Sequence, residues 1–181
     1  MDELDILEWL QGAAPALNDV MVAITTVSTY AAVWLILAFL LTCSKEYRRA
    51  GYAVIVSVVV AWILADFVIK PLVGRERPYE VTGFDILVSA ASTSSFPSGH
   101  TAFSFAAATA VFIHNRKWGI PALVFAALVG ISRMYLYMHW PTDVLAGALL
   151  GIAAAYLCVW FLSRYIPAYR DLPDPRESGG Q

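Results

Sequence analysis

Residues 20–42 read VMVAITTVSTYAAVWLILAFLLT, 23 consecutive positions without a charge. At ~1.5 Å of rise per residue, a helix of this length crosses the ~30 Å hydrocarbon layer of a bilayer. The stretch decides the fold class, because backbone in lipid must satisfy its own hydrogen bonds and a helix does so within one segment. Lys45, Arg48 and Arg49 close it, and Gly51–Ile69 repeats the pattern, broken only by Asp66 near its far end. Thr101–Ile113 is a third apolar run, short for a crossing, Trp118–Met138 is a fourth that carries Arg133, and Asp143–Ser163 is a fifth. Composition agrees: 59% of the 181 residues are hydrophobic and 14% are charged, against about 25% charged in a soluble domain. The expectation is an all-α integral membrane protein, a bundle of five to six transmembrane helices forming one domain over residues 1–166.

Upstream of the first span lie Asp2, Glu3, Asp5, Glu8 and Asp19, with no Lys or Arg. Leu4, Leu7, Trp9 and Leu10 fall at helical spacing, which predicts a short interfacial helix over Leu4–Leu10 with Trp9 at headgroup level. It also stands in for a sixth helix. The basic start of a cleaved signal peptide is missing. Residues 167–181 are polar and proline-rich, and are predicted to be a disordered tail. Cys43 and Cys158 give neither a disulfide framework nor a metal-binding spacing. A net charge of −2 implies no pull toward nucleic acid. Nothing in the chain indicates an oligomeric state.

Five spans put the chain ends on opposite sides. One side collects Lys45, Arg48, Arg49, Arg116, Lys117, Arg164, Arg170 and Arg176; the other holds Lys70, Arg75 and Arg77. The richer side faces the cytoplasm by the positive-inside bias. The long connection Pro71–Pro97, His100 and His139 then face outward from the plasma membrane, with the C-terminus inside.

Within that outward face, Phe96-Pro97-Ser98-Gly99-His100-Thr101 opens the third run. Pro97 cannot continue a helix backward, Ser98 is a good cap, and Gly99 leaves no side chain over the backbone N–H groups. A helix starting here aims unpaired N–H groups at one spot, which suits an anion, phosphate above all. Folding the spans brings Lys70, Arg77, Ser98-Gly99-His100 and His139-x-x-x-Asp143 to the same face. Arg133, six residues before His139, lies ~9 Å below it if helical, and Asp66 can pair with Lys70 four residues on. Cations and N–H groups hold phosphoryl oxygens, one imidazole attacks phosphorus while the other protonates the leaving oxygen, and Asp143 orients a ring. Each piece has a plainer reading: Lys70 ends a helix, Arg75 and Arg77 are solvated loop residues, His139 is an interfacial helix end. Arg133 resists that treatment, since an intramembrane arginine is costly. A metal at His100, His139 and Asp143 is the rival, disfavoured because the adjacent cations repel one.

Lys70-(six residues)-Arg77-Pro78, then Pro97-Ser98-Gly99-His100, then Ser132-Arg133-(five residues)-His139-(three residues)-Asp143, resembles the three-part signature of the type-2 phosphatidic acid phosphatase superfamily. The likeness covers residues 70–143 with no departure at a signature position. It implies a metal-independent membrane lipid phosphatase without cofactor. His139 would be the nucleophile forming a phosphohistidine, Asp143 its orienting partner, and His100 the general acid and then base. Lys70, Arg77, Ser98, Gly99 and Arg133 would bind the phosphoryl oxygens. Arg75 lies outside the signature as a possible helper. The small size and outward site are similar to the superfamily's undecaprenyl-diphosphate phosphatases, while phosphatidylglycerophosphate and phosphatidic acid remain alternative substrates. A lipid-phosphate transporter or a non-catalytic scaffold are the competing classes, and the absence of an internal repeat argues against the transporter.

Overall fold

A computed structural model describes residues 2–13 and 15–174, and these form helices joined by turns and loops, with no strand among them. Surface helix α1 (Glu3–Ala13) packs on α8 (Arg116–Tyr135) and α9 (Pro141–Tyr165). Leu7 is fully buried, while Trp9, placed in the same apolar stripe from the sequence, is 65% exposed.

The 20–42 run is not one straight helix. It divides into α2 (Asn18–Val27) and α3 (Ala32–Cys43), bent by 48°. Ser28 and Thr29 turn their hydroxyls back onto the carbonyl of Thr25, at 3.0 and 3.1 Å, a habit that bends helices. Ala31 takes a left-handed φ of 56° at the corner. Uniform apolarity conceals this break, because the polar atoms responsible belong to three small uncharged residues.

The next span is longer than its apolar run. Arg48–Trp62 (α4) continues through a π-helical stretch, Ile63–Ile69, into Lys70–Val73 (α5), which ends at Gly74 in left-handed geometry. Pro71 cannot donate to the carbonyl four residues back and its ring crowds it; the residues before it take the wider π turn. Short helix α6 (Pro78–Thr82) lies within the long connection. Ile86, Val88 and Ala91 of this connection pack on Met21, Tyr135, Leu136 and Met138. The connection is pinned further by Tyr79 N–H to Tyr137 O (3.2 Å), Ser95 N–H to Arg75 O (2.8 Å) and Ser98 N–H to Asp143 O (3.0 Å).

Central helix α7 (Gly99–His114) is enclosed by α4, α8 and α9. Trp34 of α3 donates its indole N–H to Ser104 Oγ at 2.9 Å. At 16 residues α7 is short, and among the described residues the helices long and apolar enough to cross a membrane number three, or four if the bent α2–α3 pair is one span. The expected count of five to six therefore rests on adding α7 and α1, neither of which meets that length. The multi-pass membrane character stands on the others.

Helices α7 and α9 meet through small residues, as membrane helices do where backbones approach closely. A Cβ at Gly151 would lie 2.2 Å from Ala102 O and 2.8 Å from Ala106 N, and one at Gly147 2.5 Å from Ser98 O. Gly151→Val is expected to cost about 3 kcal/mol through forced separation, read as a lowered thermal unfolding midpoint in detergent. Gly12→Ala, with nothing within 4 Å of the added carbon, should stay within about 0.5 kcal/mol.

The predicted tail begins with structure instead of disorder. Pro167–Arg170 is a helical turn (α10) that buries Tyr169, whose hydroxyl meets His114 Nε2 at 2.8 Å. Asp174 pairs with Arg49 at 3.2 Å. Aromatic and charged anchors hold what composition alone marks as polar. Residues 175–181 lie outside the described residues.

Candidate active site

The signature residues converge on one cavity of about 520 Å³. Lys70, Arg77, Gly99, His100, Arg133 and His139 line it, together with Asp66 and Thr93. Lys70 is buried, its Nζ 2.5 Å from Asp66 Oδ1 and 3.4 Å from Thr93 Oγ1. The expected Asp66–Lys70 pair is therefore present, and the π turn sets both at the cavity wall.

Arg77 is 2% exposed and clamped by backbone. Its Nε donates to Thr93 O (2.9 Å), Nη1 to Met138 O (2.8 Å) and Nη2 to Ser94 O (3.2 Å). Nη1 also stands 3.3 Å from His139 Nε2. A guanidinium only donates, so the facing imidazole nitrogen accepts, and the ring proton sits on Nδ1. His139 lies in the loop between α8 and α9, outside the spans. Burial, then the charges of Arg77, Arg133 and Lys70, hold it well below the usual imidazole range. It is therefore neutral near pH 7, with the Nε2 lone pair directed at Arg77 on the cavity wall.

Arg133 donates from Nη1 to Thr25 Oγ1 at 2.5 Å, whereas its Nε has no partner among the described residues. His100 Nε2 is likewise buried and unpartnered, its ring 5.3 Å from that of Phe103. Gly99 forms the floor: a Cβ there would sit 3.0 Å from Asp66 Oδ2 and 3.5 Å from Lys70 Nζ. Ser98 caps α7 as anticipated, its Oγ accepting the Thr101 N–H at 3.5 Å and the Thr101 hydroxyl at 2.9 Å. It lies behind Gly99 and, unlike the other anticipated phosphate ligands, does not line the cavity.

Asp143 also sits behind the cavity, fully buried at the third position of α9, where it accepts the Trp140 N–H at 2.9 Å. Its Oδ2 is 3.6 Å from His139 Nδ1, longer than a hydrogen bond. Ser95 Oγ stands between them, 2.5 Å from Asp143 Oδ2 and 3.4 Å from His139 Nδ1. Ser95 and Thr93 escape sequence reasoning, since nothing in the spacing separates them from the neighbouring Ser and Thr. Arg75, left as a possible helper, donates directly to Asp143 Oδ1 at 2.7 Å.

The cavity continues between apolar side chains: Leu35 of α3, Val58, Val59 and Trp62 of α4, and Phe103 of α7. Leu35 and Trp62 are 43% and 46% exposed, so this end opens sideways on the helix surface. Among the described residues, no three His, Cys, Asp or Glu side chains gather as a metal site would require.

The family model of the PAP2 superfamily matches residues 46–167. The chain belongs to this superfamily. As a PAP2 protein it is 34% identical over 70% of its length to an undecaprenyl-diphosphatase of Sulfolobus acidocaldarius, and the match spans 62% of that relative, less than two thirds. It is 30% identical over 78% of its length to an undecaprenyl-diphosphatase of Bacillus subtilis, spanning 72% of that protein. The solved structure of a transmembrane PAP2-type phosphatidylglycerolphosphate phosphatase from Bacillus subtilis superposes with a TM-score of 0.69 at 30% identity, covering 91% of this chain and 88% of that one. The PAP2 fold and the signature's convergence are thus found together in one chain.

Proposed function

We propose that this PAP2 protein hydrolyses a polyprenyl diphosphate of the undecaprenyl type to the monophosphate, without a metal, at the outer face of the plasma membrane. The observation carrying the reading is one cavity lined by both His139 and His100, the latter with its Nε2 unpartnered among the described residues, rimmed by Lys70, Arg77 and Arg133 and continued by an apolar groove. The undecaprenyl-diphosphatase relatives support this substrate class. In the reaction, Nε2 of His139 attacks the terminal phosphorus and the bond to the bridging oxygen breaks. His100 gives that oxygen its proton and the polyprenyl monophosphate leaves. His100 then takes a proton from water, whose oxygen attacks the phosphohistidine, releasing inorganic phosphate and restoring His139. The cations and the Gly99 N–H end of α7 stabilise the charge on the phosphoryl oxygens. Asp143, with Ser95, keeps the ring proton on Nδ1.

Phosphate release by detergent-purified protein in excess chelator tests this, comparing a polyprenyl diphosphate with phosphatidic acid and phosphatidylglycerophosphate. Release that survives the chelator and favours the polyprenyl diphosphate is expected. Preference for phosphatidylglycerophosphate would support the second reading, which the Bacillus structure favours. Transport of intact lipid phosphate without release would overturn both. The outward orientation rests on the asymmetry of Lys and Arg, and a membrane-impermeant label at an introduced cysteine near Gly83 checks it.

The pH profile of kcat/KM should be bell-shaped. Attack needs neutral His139, whose proton affinity is lowered, so activity is retained as pH drops through the ordinary histidine range and falls only below it. An acid limb with its midpoint at or above 6.5, the unperturbed value, would remove His139 from the nucleophile's role.

A further inference from the structure

We infer that Glu3 of the surface helix and Arg75 of the long connection are positioning residues, which fix the Asp143 carboxylate and thereby tune His139. Three chain segments meet here. Asp143 is fully buried, and each of its oxygens is held. Oδ2 accepts from Ser95 Oγ and Trp140 N–H, and Oδ1 accepts from Arg75 Nη1 at 2.7 Å. Arg75 in turn is gripped from outside. Its Nη2 pairs with Glu3 Oε2, its Nη1 reaches Thr142 Oγ1 at 2.6 Å, and its guanidinium lies 5.3 Å from the Trp140 ring centre. Glu3 Oε1 closes the circuit by accepting the Thr142 N–H at 2.9 Å and hydroxyl at 2.6 Å.

A buried carboxylate needs compensation, and only Arg75 brings it a full positive charge by direct contact among the described residues. Charges then alternate outward from the ring: Asp143 negative, Arg75 positive, Glu3 negative. Burial opposes ionisation of Glu3, yet the bonds from Thr142 and Arg75 hold its carboxyl below the usual range, so it is charged at pH 7. On the ring's other side stand Arg77, Arg133, Lys70 and His100, with Asp66 against Lys70. Changing a charge in the Glu3–Arg75 pair therefore alters the cost of an imidazolium at His139, with a sign that depends on which partner is changed. Removing Arg75's charge eases protonation; removing Glu3's leaves Arg75 unbalanced and opposes it.

The inference rests on His139 being the reacting histidine, and its test does not need turnover. The imidazole titration of His139 is followed by NMR in detergent-purified, histidine-labelled protein, its signals assigned by their loss in His139→Gln. Arg75→Gln should raise the midpoint by roughly half to one pH unit, Glu3→Gln should lower it by a similar amount, and Arg75→Lys should leave it within about a third of the Arg75→Gln change. Glu3→Gln is isosteric and at a part-exposed site, so it keeps the test open if the Arg75 variants fold poorly. Shifts of the same sign in Arg75→Gln and Glu3→Gln, or a midpoint unmoved by Glu3→Gln, overturn the inference. In phosphate release, Arg75→Gln should lower kcat at least tenfold with KM within about twofold. A wild-type protein that releases no phosphate from any lipid overturns the proposed reaction, while the titration still decides the positioning role.

Discussion

His139→Ala is expected to lower kcat for phosphate release by about 10⁵-fold or more, the scale seen when a nucleophile is removed, while the protein stays folded. The ring's Nδ1 faces Ser95 Oγ at 3.4 Å, and that hydroxyl stays bonded to Asp143 Oδ2 when the ring is gone. Its Nε2 faces Arg77, whose remaining donors are bound by the carbonyls of Thr93, Ser94 and Met138. Removing the ring therefore leaves the guanidinium clamped and the cavity enlarged. Binding should survive: a non-hydrolysable diphosphate analogue should protect the variant against heat about as well as it protects wild type. Trapping radiolabelled phosphate on acid-labile, base-stable protein sites in wild type but not in the variant checks the covalent step. Residual turnover above a few percent of wild type would mean that His139 only positions the substrate, and that water attacks directly.

Arg133→Met is expected to separate activity from stability. Arg133 is 5% exposed inside α8, and its Nε has no partner among the described residues. A buried charge left partly unpaired burdens the fold, and an apolar side chain of similar volume often restores or improves stability. The same group faces the cavity with His100 and His139, where it can meet charge on the transferring phosphoryl oxygens. Losing one such preorganised donor costs about 10²–10³ in kcat. The variant should thus unfold at the same temperature or higher while turning over at least a hundredfold more slowly. A lower unfolding temperature with nearly normal kcat would reassign Arg133 to holding α2 through Thr25.

The site was more legible in the sequence than the fold. Lys70, Arg77, Gly99, His100, Arg133 and His139 are reactive or conformationally special types at fixed intervals, and all six reach one cavity. What stayed hidden is the layer behind them. Ser95 looks like any member of a Ser/Thr run, and the role of Glu3 depends on a contact with Thr142, 139 positions away. Hydropathy located the apolar runs but could not show their shape. The bend between α2 and α3 depends on hydroxyls returning to Thr25, and the extension of α4 beyond Ile69 depends on how Pro71 is accommodated. Nor does hydropathy distinguish a helix bathed in lipid from one enclosed by others: α7 is rich in alanine because three helices crowd it.

The close seam between α7 and α9 also bears on when the protein becomes reactive during its synthesis. The turn that begins α7 is tied to Asp143 through Ser98 N–H, and Gly147 and Gly151 let α9 lie against the α7 backbone. Until the last long helix has left the ribosome and entered the bilayer, His139 has neither its buried carboxylate nor a neighbour to fix the Gly99 turn. A nascent chain halted before Pro141 would already carry both histidines and all the cavity's cations, yet lack the arrangement that makes them act together. On the proposed reaction, biogenesis holds the chemistry back until the bundle closes.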